Sequence, residues 1–140
     1  MMENLFTEYR FYGEKKLAAG ISLPDNKVLK EIVSRIPTTD NDGFKKINFI
    51  KEVPEYINQK LNSELNTRFT FGKEAYCVLS ENDEINIYAD SFLGLIYGAY
   101  TLLHQAYAYD GSIKEGILYA EPLCSFRGLK VYLPSPHDLE

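Results

Sequence analysis

Between Ser91 and Tyr109 the chain carries no Asp, Glu, Lys or Arg, and its apolar residues fall at helical spacing. Leu95, Ala99, Leu102 and Ala106 form one stripe, and Tyr97, Tyr100, His104 and Tyr107 form another. A helix on a small domain needs one apolar face, turned to the core, and keeps its charge on the other. An uncharged helix over residues 92–107 therefore has two readings. Either it is the central core helix, covered on both sides by its own domain, or its tyrosine stripe faces a partner. Tyrosine suits such a contact, because its ring buries area while its hydroxyl tolerates a wet or polar neighbour. Asp90 or Ser91 can cap the helix. Gly94 and Gly98 each cost roughly 0.5–1 kcal/mol relative to alanine inside a helix, so a close approach to a neighbouring element is expected there.

Around this helix the pattern alternates between strand and helix. Residues 75–80 and 84–89 read as a hairpin joined through Glu81, Asn82 and Asp83. Leu17, Ala19, Ile21 and Leu23 alternate as a half-buried strand over 16–23. Pro24 and Asp25 start a helix with Val28, Leu29, Ile32, Val33 and Ile36 inward; Pro37 stops it, and residues 38–43 form a polar loop. Ile47 and Phe49 mark a short strand, residues 54–65 a helix with Tyr56, Ile57, Leu61 and Leu65 inward, residues 117–120 a strand, and residues 128–133 a last strand that breaks at Pro134 and Pro136. Residues 1–15 read as an irregular arm with Phe6, Tyr9, Phe11 and Tyr12 packing against something. The hairpin requires antiparallel pairing. The expected fold class is α+β: a mixed, mostly antiparallel sheet with two or more helices packed on one face.

Composition narrows the function classes. The chain has 140 residues, 45% of them hydrophobic, which suits one domain with a real core. A net charge of −5 and no basic run longer than Lys15-Lys16 or Lys45-Lys46 argue against a nucleic-acid partner. No segment has the length and apolarity of a membrane span or of a signal peptide, so a cytoplasmic setting is expected. Cys77 and Cys124 fit no metal spacing and are expected to be buried free thiols; the other reading is a disulfide between them, which requires Cα atoms within about 7 Å. There is no His-Glu-x-x-His helix, phosphate-cradling glycine loop or Gly-x-Ser-x-Gly elbow. His104 has no Cys, Asp or Glu three or four residues on and reads as structural, and the Asp83-Glu84 pair reads as solvated hairpin turn. No catalytic residue, metal or cofactor is expected in this chain.

Several segments in a fixed order resemble family 20 glycoside hydrolases. Glu74-Ala75-Tyr76 matches an E-x-Y strand, and Ile85-Asn86-Ile87-Tyr88-Ala89 matches the I-x-I-x-A strand that pairs with it. The run from Gly94-Leu95-Ile96-Tyr97-Gly98 to Thr101-Leu102-Leu103 is similar to the family's G-L-x-Y-G-x-x-T-L-x-Q helix, with Gln105 one place beyond the family's glutamine. Glu121-Pro122 and Phe126-Arg127-Gly128 then match the acidic-proline and aromatic-Arg-Gly pieces at the first barrel strand. The resemblance covers roughly residues 16–133 and is densest from Glu74 onward.

The resemblance implies the hexosaminidase domain that precedes the catalytic barrel: residues 16–126 as accessory domain, after the arm of residues 1–15, and 127–138 as the truncated start of the barrel; the ending Asp138-Leu139-Glu140 by itself reads as the scar of an expression tag, over 139–140. It implies a parent that hydrolyses terminal β-linked N-acetylhexosamine, with an Asp-Glu pair in the barrel and the substrate's own acetamido group as nucleophile. Arg127 matches the arginine that reaches the sugar hydroxyls, a role its guanidinium fork suits; a linker arginine paired to a carboxylate is the other reading. After Gly128 the chain departs from the family: Lys130 to Pro136 replace the usual Asp and Arg-His, which suits a divergent branch or a neighbouring glycosidase family. The implied role is a non-catalytic support for the chain's own C-terminal barrel, with Tyr97, Tyr100, His104 and Tyr107 as interdomain interface and carbohydrate as the parent's substrate. The alternative is an independent carbohydrate- or protein-binding module that uses the same aromatic face.

Overall fold

The expected hairpin lies at the centre of the sheet. A computed structural model describes residues 5–40, 42–69 and 74–122. Strands β5 (Tyr76–Glu81) and β6 (Glu84–Ala89) run antiparallel with Glu81 opposite Glu84. Only Asn82 and Asp83 form the turn, at φ 53° and 68°. The expected three-residue loop is thus a two-residue turn of left-handed residues, whose twist matches that of the flanking strands. Asn and Asp enter that region more readily than other residues that carry a side chain.

β7 (Ile113–Pro122) pairs antiparallel with the far side of β5, and β1 (Leu5–Lys15) pairs antiparallel with β7. β4 (Lys46–Ile50) lies parallel to β6, so the sheet order is β1-β7-β5-β6-β4. The sheet is mixed and mostly antiparallel, as the pattern implies. Residues 5–15 correct the expectation of an irregular arm. Tyr9 and Phe11 alternate with Glu8 and Arg10 at the period of a strand, but Tyr12 and Gly13 break the pattern, and the partner strand is remote in the chain, Lys15 standing opposite Ile113, so no local pattern reveals the pairing. β7 is also longer than the expected 117–120. It carries Gly116 at φ 139°, opposite a register shift between Phe11 and Gly13. A Cβ on Gly116 would lie 2.1 Å from the Arg10 carbonyl oxygen, so only glycine fits this crossing.

The strand expected over 16–23 shrinks to β2 (Leu17–Ala18), which pairs parallel with β3 (Thr38–Thr39) from the expected polar loop. Leu17 is buried, whereas Ala19 and Leu23 are exposed. Helix α1 (Lys27–Val33) is capped by Asn26 rather than Asp25: its Oδ1 accepts from the N–H of Val28 at 2.9 Å and of Leu29 at 3.1 Å. Leu29, Ile32, Val33 and Ile36 are buried, but Val28 points outward. In α2 (Glu55–Leu65) Ile57, Leu61 and Leu65 are buried while Tyr56 is exposed, its hydroxyl 3.3 Å from that of Tyr88. Asn66, left-handed at φ 59°, ends this helix.

Helices α1 and α3 (Phe92–Ala108) cover one face of the sheet. There they form the main core with Tyr76, Val78, Ile85, Ile87, Leu118 and Ala120. Helix α2 covers the opposite face, against Cys77, Leu79, Tyr88, Ile117 and Tyr119. Successive strand residues point to opposite faces, so β5, the middle strand, is buried on both. The expected last strand over 128–133, Cys124 and the proposed boundary at 126–127 lie outside the described residues.

Candidate functional site

The tyrosine stripe of α3 is the one surface that the sequence singles out, and its position follows from how the helix seats. The Ser91 hydroxyl accepts from the Gly94 N–H at 3.2 Å and starts the helix. A Cβ on Gly94 would come 2.6 Å from the Ala75 carbonyl oxygen and 2.7 Å from the Ala89 Cβ. A Cβ on Gly98 would come 2.6 Å from Ile87 Cγ2. Both glycines thus let the helix lie directly on β5 and β6, the packing reason expected for them. One turn further, the hydroxyls of Tyr76 and Thr101 are 2.6 Å apart inside the core, and Thr101 Oγ1 donates to the Tyr97 carbonyl at 3.1 Å. At the far end Gln105 Oε1 accepts from the Lys114 N–H at 3.0 Å, which fastens the last turn to β7.

This seating divides the stripe. Leu95, Ala99, Leu102 and Ala106 are buried, as expected. Tyr97 and Tyr100 are only partly exposed and pack against their own domain's core. His104 and Tyr107 are exposed, Tyr107 by 69%. The Tyr100 and His104 rings lie 6.4 Å apart and tilted, and partial desolvation holds the imidazole below the ordinary histidine pKa. The stripe is therefore divided: Tyr97 and Tyr100 pack on the core, and His104 and Tyr107, in the last two turns, stay exposed beside the buried Leu102, Leu103 and Ala106.

Three exposed residues extend this face beyond the expected four. Tyr109, just past the helix, lies under Lys114 Nζ at 4.2 Å, and that ammonium also donates to Glu14 Oε1 at 2.9 Å. Phe92 and Leu93 are exposed at the opposite end of the helix. They begin the uncharged run, so the same absence of charge that marks the stripe also marks them. Phe92 borders an open cleft of about 530 Å³ lined by Pro24, Asn26, Leu29, Ile47, Phe49 and Leu95 among others.

Asp83 is not merely solvated turn: it forms an ion pair with Lys15 and a longer one, 3.9 Å, with Lys45. Through that hydrogen bond and charge Lys15 holds the Asp83 carboxyl below its ordinary value. Cys77 is a buried free thiol, and burial pushes its pKa up to about 12. Among the described residues no group of three His, Cys, Asp or Glu could hold a metal ion, and no helix is long and apolar enough to cross a membrane. Arg127 lies outside the described residues. No family model matches this chain, and no curated protein matches it.

Proposed function

We propose that this chain is a non-catalytic accessory domain of a glycoside hydrolase resembling family 20, and that the carboxy-terminal half of α3 is the seat of the parent's catalytic barrel. One observation carries the reading: the aromatic stripe stays open at His104 and Tyr107 although the domain has already covered its core through the rest of α3. The order of motifs from Glu74 to Arg127, which resembles family 20, is what suggests a catalytic barrel as the partner. Within this reading Tyr97 and Tyr100 brace the helix, and His104, Tyr107 and Tyr109 make the contact. Arg127 would contribute to the sugar site only in the parent, and the chemistry would belong to an acidic pair in the barrel.

The test is what the natural reading frame encodes after Pro136. A polypeptide extended through a barrel-sized region should cleave aryl β-N-acetylhexosaminides. Substituting Tyr107→Asp in it should lower its thermal stability without altering the 140-residue chain. A natural gene product that folds and stops without such a region would sink the proposal. The second reading, a free-standing binding module, is favoured by the exposed ring of Tyr107. A saturable change in tyrosine fluorescence on titration with chito-oligosaccharides would establish it instead.

A further inference from the structure

We propose that β1 is the contact edge of a homodimer in which two sheets join antiparallel about a twofold axis at Tyr9. The strand ends the five-stranded sheet, and among the described residues only β7 pairs with it. Its eleven residues make it long for an edge, where natural sheets tend to keep strands short. The opposite edge, β4, follows that tendency with five residues and carries Lys46, with Lys45 and Lys51 flanking it.

The backbone of β1 presents a usable ladder. The Arg10 carbonyl oxygen points at β7, as its approach to Gly116 requires. Main-chain groups of successive strand residues point to opposite sides of the strand. Thr7, Tyr9 and Phe11 therefore turn their N–H and C=O groups outward, away from β7. The register shift at Tyr12 ends the regular ladder on one side, leaving residues 7–11 as the straight segment.

Side chains select the register. Tyr9 and Phe11 lie stacked, ring centroids 4.7 Å apart, and Phe11 packs against the main core, which places both on the α1/α3 face. Arg10 lies on the α2 face, where its Nε donates to the Glu64 carbonyl at 3.3 Å, and Glu8, two residues before it, shares that face. An axis through Tyr9 sets Tyr9 against the partner's Tyr9, Thr7 against the partner's Phe11, and Glu8 against the partner's Arg10, the last pair occurring twice by symmetry. A shift to an axis at Glu8 opposes two glutamates, and a shift to Arg10 opposes two arginines. Directly opposed like charges are unfavourable across strands and unlike charges favourable. Axes at Thr7, Tyr9 and Phe11 all keep the outward ladder; an axis at Phe11 sets Glu8 against the partner's Glu14, an axis at Thr7 opposes no charged pair, and the axis at Tyr9 alone opposes unlike charges. Such a pairing is isologous and closes, so it yields a dimer and not a fibre.

Sedimentation velocity over a concentration series tests this. The chain should show a monomer–dimer equilibrium. Glu8→Arg and Arg10→Glu should each raise the dimer Kd by about tenfold or more, the loss of two opposed charge pairs and the gain of two repulsive ones. The double reversal should restore it, since the charges then oppose again. Tyr9→Pro removes an outward N–H that the monomer does not use, so it should abolish the dimer while the far-ultraviolet circular dichroism is kept. A chain that stays monomeric at all concentrations, or a dimer indifferent to the single reversals, or a double reversal that fails to restore pairing, would overturn the proposal.

Discussion

Gly94 lies against Ala75 so closely that a Cβ on the glycine would stand 2.6 Å from the Ala75 carbonyl oxygen. That oxygen belongs to the backbone entering the central strand and cannot swing aside. Four residues on, Gly98 meets side-chain atoms instead, Ile87 Cγ2 at 2.6 Å and Tyr76 Cδ2 at 3.6 Å. Alanine is the better helix former by roughly 0.5–1 kcal/mol, but overpacking a tight contact costs about 1–3 kcal/mol. Gly94→Ala should therefore destabilise the chain clearly, and Gly98→Ala less. Urea midpoints for the two variants would rank them; equal or reversed midpoints would contradict the seating of α3 on β5.

The Tyr76–Thr101 hydroxyl pair is buried, and its two halves are not equivalent. Tyr76→Phe leaves the Thr101 hydroxyl still donating to the Tyr97 carbonyl, so the loss should be about 0.5–1.5 kcal/mol. Thr101→Val strands the Tyr76 hydroxyl without a partner in the core, which costs about 1–3 kcal/mol. A double-mutant cycle in chemical denaturation should show the valine variant as the weaker protein and a coupling between the two sites.

Alkali should destabilise the chain. Burial pushes Tyr76 from 10.0 and Cys77 from 9.0 up to about 12 in the folded state. Both folded-state values are raised, so the folded chain keeps protons that the unfolded chain has released. The stabilisation is complete below about pH 9 and is lost as pH rises from there toward 12. Cys77→Val should move the onset of this loss from near pH 9 to near pH 10, as read from unfolding midpoints at stepped pH. The same burial should keep Cys77 unreactive toward thiol reagents until the chain unfolds.

The two halves of the tyrosine stripe should respond oppositely to alanine. Tyr97 and Tyr100 pack on the core, so truncating either should lower the stability of the 140-residue chain. His104→Ala and Tyr107→Ala alter exposed positions and should stay within about 0.5 kcal/mol. Thermal melts of the four variants decide between a divided stripe and a uniform one.

The ion pair between Lys15 and Asp83 ties β1 to the hairpin turn. Lys15 lowers the Asp83 pKa, so its contribution is present above the ordinary carboxyl value of 3.8 and disappears as pH falls through the lower folded value. Asp83→Asn should abolish that acid-side dependence, and raised salt should shrink the difference between the two proteins.

Much of the fold is legible in local pattern. The alternation through Ile85, Ile87 and Ala89, the helical spacing of Leu95, Ala99 and Leu102, and the turn residues Asn82 and Asp83 each reflect short-range geometry. These features fixed the hairpin, the long helix and its buried face. The candidate site was half legible: the missing charge located the helix and its tyrosines, whereas nothing local separates Tyr100, which packs inward, from Tyr107, which does not. Tyr56 and Val28 also fit the apolar period of a short helix, yet both are exposed, and nothing local separates them from Ile57 and Leu29, which are buried.

By itself the sequence determined which residues need a partner surface and at what period, because backbone geometry imposes those periods on neighbours along the chain. The tertiary structure alone decided which surfaces meet. It paired Leu5–Lys15 with Ile113–Pro122, set β4 parallel to β6, and placed α2 on the face opposite α1 and α3. Those choices join residues far apart in the chain. Their energies lie in packing and ladder complementarity, which no window of adjacent residues contains. The aromatic face of α3 took its form in the same way: the absence of charge created it, and the depth to which Gly94 and Gly98 let the helix settle decided how much of it stayed open.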